Sequence, residues 1–457
     1  MEIVEMRGSG ILSIMLVGAS MVGCSTYHPR PLNTADLTKT LACFEQEQWV
    51  EQATLLNHPR IPPVKLDFSK PLKSRDLAVL GVLISPDLKA LRAKEGVAKA
   101  QVFDAGLLPD PQFVFSFAHP TDKMQGIVNA YSLGLNWDVG AVATKNIKVK
   151  IAKAKAQGVR YDVAWQEWLL ANQLELLTAR LYYLKQQQHL TQKATTTAKQ
   201  ILDLSEANLK AHNMTIDEFG LRQTTYLEFL NQKVSLERTI RKTVLELNRI
   251  LGLTPTEKIP LYFKPSFKII NLEADKLFKV AEVNRLDLLA LQAGYASVDA
   301  QLYQAILGQF PHFILGINKA RDNTGIHSVG TDINFDIPLF NRNRGAIKIA
   351  VATREQLYLE YNARLNQTRS DIAVLVADLK LIIKEVSILE TQLPKMRETE
   401  KLMHNGVKEG NITLITYVNI LTNLLSNELR LLSLKQDKTE QMIALQIATG
   451  KYWGECR

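Results

Sequence analysis

The sequence predicts a mainly α-helical chain with a small β part, internally duplicated and built on long coiled helices. Three observations carry this. From about Thr144 to Ala211, and again from about Arg344, helical patterning continues far beyond the three turns of an ordinary helix. Between such runs lie short alternating stretches. The clearest is Val329 to Phe335, with Val329, Thr331, Ile333 and Phe335 on one face and Gly330, Asp332 and Asn334 on the other. The chain also repeats itself: Asp87, Pro111 and Phe113 match Asp287, Pro311 and Phe313 at a shift of 200, and Asn136, Asp138, Ala152, Asn213 and Gly252 match Asn334, Asp336, Ala350, Asn411 and Gly450 at 198.

In chain order, residues 1–23 read as a signal peptide: Ile11 to Val22 is an apolar run of h-region length, and Met6 is an alternative start that leaves Arg7 as a basic n-region. Met21-Val22-Gly23-Cys24 resembles a bacterial lipobox, with Met21 where Leu or Val is usual. That resemblance makes Cys24 the lipidated, palmitate-bearing first residue, and Ser25 stands where an Asp would favour inner-membrane retention. An ordinary secretory signal is the other reading; both export the protein. Cys43 and Cys456 remain, as a disulfide or as two thiols. Residues 24–84, punctuated by Pro29, Pro31, Pro59, Pro62, Pro63 and Pro71, read as an extended, lipid-anchored segment.

The first repeat is 85–253. Ser85-Pro86-Asp87 opens a helix that Pro109 and Pro111 stop. Two strands follow, Gln112 to Ala118 with Phe113, Phe115 and Phe117 on one face, and Tyr131 to Asp138 with Leu133, Leu135 and Trp137 on one face. In the long helix Leu174, Leu177, Leu181 and Leu184 keep a 3-4-3 spacing; a break at His212-Asn213-Met214-Thr215 leads into a return helix closed by Gly252. A linker, 254–284, joins the second repeat, 285–450. It supplies strands with Phe313, Leu315 and Ile317, and with Val329, Ile333 and Phe335, facing one way. Then come a helix with Leu375, Leu379, Ile382, Val386, Leu389 and Leu393 on a coiled seam, a break from His404 to Thr413 that contains Gly410, Asn411 and Ile412, a return helix, and a tail at 451–457.

A helix of about 65 residues is roughly 100 Å long, and the two shorter helices of each half, stacked end to end, match it. Each half is then a long rod with strands at one end and a hairpin at the other. Four strands cannot close a barrel and would leave two raw edges. Several chains contributing four strands each close one, with the Phe, Leu, Ile and Trp face toward lipid and the Gly, Asn, Asp and Ser face toward water. The competing reading is a soluble sheet packed on a helix.

In this order of parts the chain resembles the TolC-type outer-membrane factors, in their lipoprotein branch. The resemblance rests on the lipobox-like Met21 to Cys24, Pro109-Asp110-Pro111, Asn284-Arg285-Leu286-Asp287-Leu288, Asp336-Ile337-Pro338-Leu339-Phe340-Asn341-Arg342 and the duplication itself. It implies a homotrimer with a twelve-stranded transmembrane β-barrel continued by an α-barrel through the periplasm of a Gram-negative bacterium. It also implies partnership with a periplasmic adaptor (a membrane fusion protein) and an inner-membrane pump. The tips His212 to Thr215 and Gly410 to Thr413 would narrow the duct and meet the adaptor. Gly410 matches the family's tip glycine where the first half has His212. Six residues on, Glu218 and Thr416 are the candidate gate positions, so the gate carries one acidic ring where relatives often have more.

No catalytic or metal motif is present: the eight histidines are scattered, and Cys-x-x-Cys, Gly-rich phosphate loops and Gly-x-Ser-x-Gly elbows are absent. His312 and His327 read as rim residues. Asp332, Asn334, Asp336, Asn136 and Asp138 read as a wetted lumen rather than a carboxylate site. The net charge is +9, or +10 once Glu2, Glu5 and Arg7 leave with residues 1–23. The cations read as interleaved with acids along the helices, which argues against nucleic-acid binding. The expected function is a passive exit duct, with no enzyme activity and no cofactor; a periplasmic helical scaffold lipoprotein is the alternative.

Overall fold

The structure, a computed structural model, describes residues 26–35, 46–121, 126–263 and 272–453. Two compact units divide the chain, Met1–Phe44 and Glu45–Arg457. Cys24, Cys43, Cys456 and the signal peptide lie outside the described residues. In the first unit residues 26–35 are exposed and largely irregular.

The elements of the second unit are α1 (Gln46–Thr54), β1 (Leu72–Lys73), α2 (Ser74–Ile84), α3 (Pro86–Gly106), β2 (Gln112–Ala118), β3 (Ala130–Asp138), α4 (Val139–Lys210) and α5 (Ile216–Leu251). Then come β4 (Leu261–Tyr262), α6 (Ala274–Asn284), α7 (Leu286–Leu307), β5 (Phe313–Arg321), β6 (His327–Phe335), α8 (Arg344–Lys408) and α9 (Leu414–Thr449). At 72 and 65 residues, α4 and α8 are about 108 and 98 Å long.

The expected end-to-end stacking is present, and glycine makes it possible. Gly252 caps α5 at φ 69°, and a Cβ there would sit 2.6 Å from Pro86 Cγ, the first residue of α3. Gly450 caps α9 at φ 65°, and a Cβ there would sit 2.8 Å from the Asn284 carbonyl at the α6–α7 joint. Each return helix therefore abuts the short helix of its own half. The long helices run beside these stacks, α4 against α3, α5, α7 and α9, and α8 against α6, α7 and α9. Of the predicted seams, Leu174, Leu177, Leu181 and Leu184 are all buried, as are Leu379, Val386 and Leu393, while Leu375, Ile382 and Leu389 are half-buried.

Three boundaries need correction. The second break does not begin at His404, because α8 continues to Lys408. The segment 24–84 is not extended throughout: α2 is among the most buried elements, with Leu77, Ala78, Val79, Leu80, Val82 and Ile84 inside. The prolines misled because they all precede Leu72, and the apolar run after it has enough hydrophobic area to hold a helix in the core. The linker 254–284 likewise ends in α6, which packs Leu277 and Ala281 against Ile372, Val376 and Leu379. Ser74–Ile84 and Ala274–Asn284 are related by the same shift of 200, so the duplication starts one helix earlier in each half. The parallel pair Leu72↔Leu261 and Lys73↔Tyr262 ties the two preludes together.

The stretch before β1 is also pinned. His58 donates from Nε2 to the Ala164 carbonyl (2.9 Å), and its Nδ1 accepts from the Arg60 and Ile61 amides (3.0 and 2.8 Å). Arg60 in turn caps the end of α6 through the Asn284 and Val283 carbonyls (2.9 and 3.1 Å), where a cation suits the helix dipole. The tail begins docked as well, with Trp168 edge-on to Tyr452 and the Trp453 indole donating to Thr449 Oγ1 (2.9 Å).

A Cβ at Gly81 would collide with Leu174 and lie 3.2 Å from Leu170 and Leu251. Gly81→Val is therefore expected to cost about 1–3 kcal/mol through overpacking, read as a lower urea midpoint. Burial, with Arg92 and Arg60 nearby, holds the His58 imidazole down to about 4 from 6.5. The unfolded chain takes up this proton first, so the contribution is whole above pH 6.5 and is lost as pH falls toward 4, by at most about 3 kcal/mol. Burial raises the neighbouring Glu167 carboxyl, which acts in the opposite sense. Melting His58→Gln beside the parent at pH 7 and pH 5 isolates the histidine: the variant should lose less, and an equal loss would refute the assignment.

Candidate functional site

The four longer strands form one antiparallel sheet, ordered β2-β3-β5-β6. Its register places the predicted faces together across all four strands. Phe113 pairs with Leu135 and Leu135 with Ile317; Phe115 pairs with Leu133; Trp137 pairs with Leu315 and Leu315 with Ile333; Phe313 pairs with Phe335. Phe117 and Val329 continue the same face, and all twelve side chains are exposed, up to 69% at Phe113 and 81% at Val329. A contiguous apolar surface of this kind is a contact surface.

The reverse face is polar and narrow. Val114, Gly134, Asn318 and Gly330 share one row, and Gln112, Asn136, Gly316 and Asp332 another. Asn318 donates to both Asp332 oxygens (2.8 and 2.7 Å), and a Cβ at Gly330 would sit 2.9 Å from Asn318 Oδ1. The glycines leave room for the amide and carboxylate beside them. Asp138 N-caps α4 through the Ala141 amide (2.6 Å) and meets His312 Nε2 at 2.9 Å, while the His327 ring lies edge-on to Tyr131. Strands β5 and β6, which the alternation places over Phe313 to Asn318 and Val329 to Asp336, run three and two residues closer to their hairpin, ending at Arg321 and starting at His327. The signal was the turn chemistry between them: Asp322 Oδ1 accepts from the Thr324 and Ile326 amides (both 2.9 Å).

At the opposite end the two hairpins share one backbone solution. His212 has φ 59° and Gly410 φ 74°, each just past a long helix. The Asn213 amide returns to the Asn208 carbonyl (2.9 Å) and the Asn411 amide to that of Gly406 (2.8 Å). Thr215 and Thr413 then cap the return helices. The Thr215 amide donates to Glu218 (3.2 Å), and the Thr416 amide donates to Thr413 Oγ1 (3.3 Å). Both gate candidates thus also serve as helix N-terminal partners. The Met214 side chain is half-buried, and Ile412 lies over Gly406, whose Cβ would approach it to 2.7 Å. Two features were missed: the exposed Asp217, whose carboxyl the Thr215 hydroxyl holds below the ordinary range, and Tyr417, whose hydroxyl donates to Glu400 (3.0 Å) and is pushed up to about 12 by burial and that carboxylate.

The interleaving of cations with acids fails in one place. Lys145, Lys148, Lys150, Lys153, Lys155 and Arg160 follow one another at the start of α4 with no Asp or Glu between Val139 and Tyr161. A count over the whole chain hid this local run.

Residues 277–451 match the family described as outer membrane efflux protein. The fold is similar to that of the outer-membrane channel OprN (TM-score 0.71, 14% identity, 94% of this chain and 99% of that one). It is also similar to the outer membrane protein VceC of Vibrio cholerae (0.69, 15%, 83% and 96%) and the CmeC outer membrane channel of Campylobacter jejuni (0.70, 13%, 84% and 87%). A search of curated protein sequences finds no match. The second half therefore matches the outer membrane efflux protein family, and the chain has the fold of these outer-membrane channels. Among the described residues no helix is long and apolar enough to cross a membrane, and no group of His, Cys, Asp and Glu could hold a metal ion.

His212 occupies a backbone region that disfavours side chains. His212→Gly should stabilise the first hairpin by about 0.5–1 kcal/mol, seen as slower amide exchange at the end of α4, whereas Gly410→Val should speed exchange at the second hairpin.

Proposed function

We propose that this chain is the outer-membrane channel component of a tripartite efflux pump or type I secretion system. It acts as a passive, homotrimeric exit duct, anchored by lipid at Cys24 and reaching into the periplasm of a Gram-negative bacterium. One observation carries this reading: the sheet is apolar on one exposed face, polar on the other, and open at both edges, β2 and β6. Three copies joined edge to edge give a closed barrel of twelve strands, which satisfies every backbone group in hydrocarbon and separates lipid from a wet lumen. Transport is then driven elsewhere, through a periplasmic adaptor and an inner-membrane pump. The adaptor meets His212, Asn213, Met214 and Thr215 of one hairpin and Gly410, Asn411, Ile412 and Thr413 of the other. Glu218 and Thr416 are the gate positions near the mouth, and Glu218 supplies its one acidic ring. The scaffold alternative leaves the apolar face without a partner.

Detergent-purified protein is expected to run as an elongated trimer that heat dissociates, with the loops Pro120 to Val128 and Arg321 to Ile326 accessible from the cell surface. A compact monomer indifferent to detergent would refute the duct. Replacing Met214 or Ile412 by Asp should reduce export at least about tenfold, equivalent to about 1.4 kcal/mol of lost docking, with unchanged outer-membrane levels. Normal export by both variants would remove the tips from the adaptor contact.

A further inference from the structure

The first turns of α4 have a burial pattern that assigns their charges. At 3.6 residues per turn, Ile147, Ile151, Ala154 and Gly158 fall in one line, and Val149, Ala152, Ala156 and Val159 in a second, about 150° round the helix. Both lines are half-buried or buried. The first faces α7: Ser297 donates to the Ile151 carbonyl (3.1 Å), and a Cβ on Gly158 would lie 3.5 Å from the Ala290 carbonyl. The second points the way of Glu167, which Arg92 of α3 binds at 2.6 Å. So α4 is held on two sides, as a stave in a single-layer wall, and keeps two free faces.

Exposed cations occupy both free faces. Lys150, Lys153 and Arg160 project between the seams on one side, and Lys148 and Lys155 on the other. None of the five enters an ion pair among the described residues. Asp162 follows the run on α4 itself, and the helices packed here carry Asp87, Glu95 and Asp104 on α3 and Asp287 and Asp299 on α7; Arg285 and Arg364 already hold Asp287, and Arg354 holds Asp299 at 3.1 Å. Whichever free face lines the duct, at least two lysines per chain point into it.

Lipid headgroups do not account for the run. Lys148 lies about 15 Å beyond Asp138 along the helix and Arg160 about 33 Å, whereas the headgroup layer adds only about 5–8 Å to each side of the hydrocarbon.

We propose that residues 148–160 of α4 form a cationic band inside the duct, just below the β-barrel, that favours anionic solutes. The band spans about 18 Å of the axis, and three-fold repetition concentrates its field in a channel where opposite charge accumulates and like charge is excluded. This inference rests on the trimeric duct proposed above.

The test compares the full-length protein with K148Q/K155Q and with K150Q/K153Q/R160Q in planar bilayers under a potassium chloride gradient. All five side chains are exposed, so both variants should fold and run as native-size trimers. The inward-facing set is expected to lower the chloride-to-potassium permeability ratio about threefold or more. The effect should shrink toward 1 M salt, where the screening length falls to about 3 Å. Normal conductance with the ratio unmoved in both variants would overturn the band and leave the duct standing. Native-size trimers of the parent with no conductance at all would overturn the duct and the band together.

Discussion

A four-stranded sheet with unpaired N–H and C=O groups along both outer strands, and phenylalanines exposed across one face, cannot be a finished structure. Everything else in the chain is arranged around that incompleteness. The helices do not cover the sheet; they leave from one end of it. The β3 strand passes into α4 without a loop, Asp138 closing the strand and capping the helix in one residue. The second crossing needs eight residues, Asp336 to Asn343, two of them, Arg342 and Asn343, in the left-handed region. The repeats solve the same problem with different local chemistry.

The helical frame depends on close approach at the two joints where short helices stack. Gly252 against Pro86 and Gly450 against the Asn284 carbonyl hold corresponding places in the two halves. Beside the second joint lies the buried pair Arg285–Asp287 (2.7 Å), with Arg364 reaching the same carboxylate at 3.3 Å and the Arg285 guanidinium 5.0 Å from the Trp165 ring. That charge is satisfied from several sides, which is what a buried pair requires in order not to destabilise. The motif that marked the second half in the sequence is thus the polar clamp at the centre of the frame. The first half has Ser85 in the corresponding place, and Asp87 makes only a long, exposed contact with Arg249 (4.0 Å).

Asymmetry between the halves extends to the tips and the wall. The sharp turn that Gly410 makes freely, His212 makes at a cost, and Glu218 caps where Thr416 lacks a carboxylate. At the start of the long helices α4 has its run of lysines, whereas α8 exposes Ile349, Val351, Tyr358 and Leu359. A duplicated chain that diverges in this way keeps the backbone and reassigns the surfaces, because seams constrain packing and free faces do not.

Sequence periodicity alone determined the long helices, the four strands, the two breaks and the duplication, since spacings of 3.6 and 2 report directly which residues must share a face. The exposed apolar face, from Phe113 to Phe335, was legible for the same reason. Tertiary structure decided what periodicity does not encode. It placed α2 and α6, short all-apolar helices whose partners lie far along the chain, and it pinned His58 and Arg60 to carbonyls more than 100 residues away. It revealed that Glu218 and Thr416 are capping partners, and it separated the lysines of α4 onto two free faces. Local pattern records which face is apolar; only the packed neighbours determine what each remaining face looks out upon.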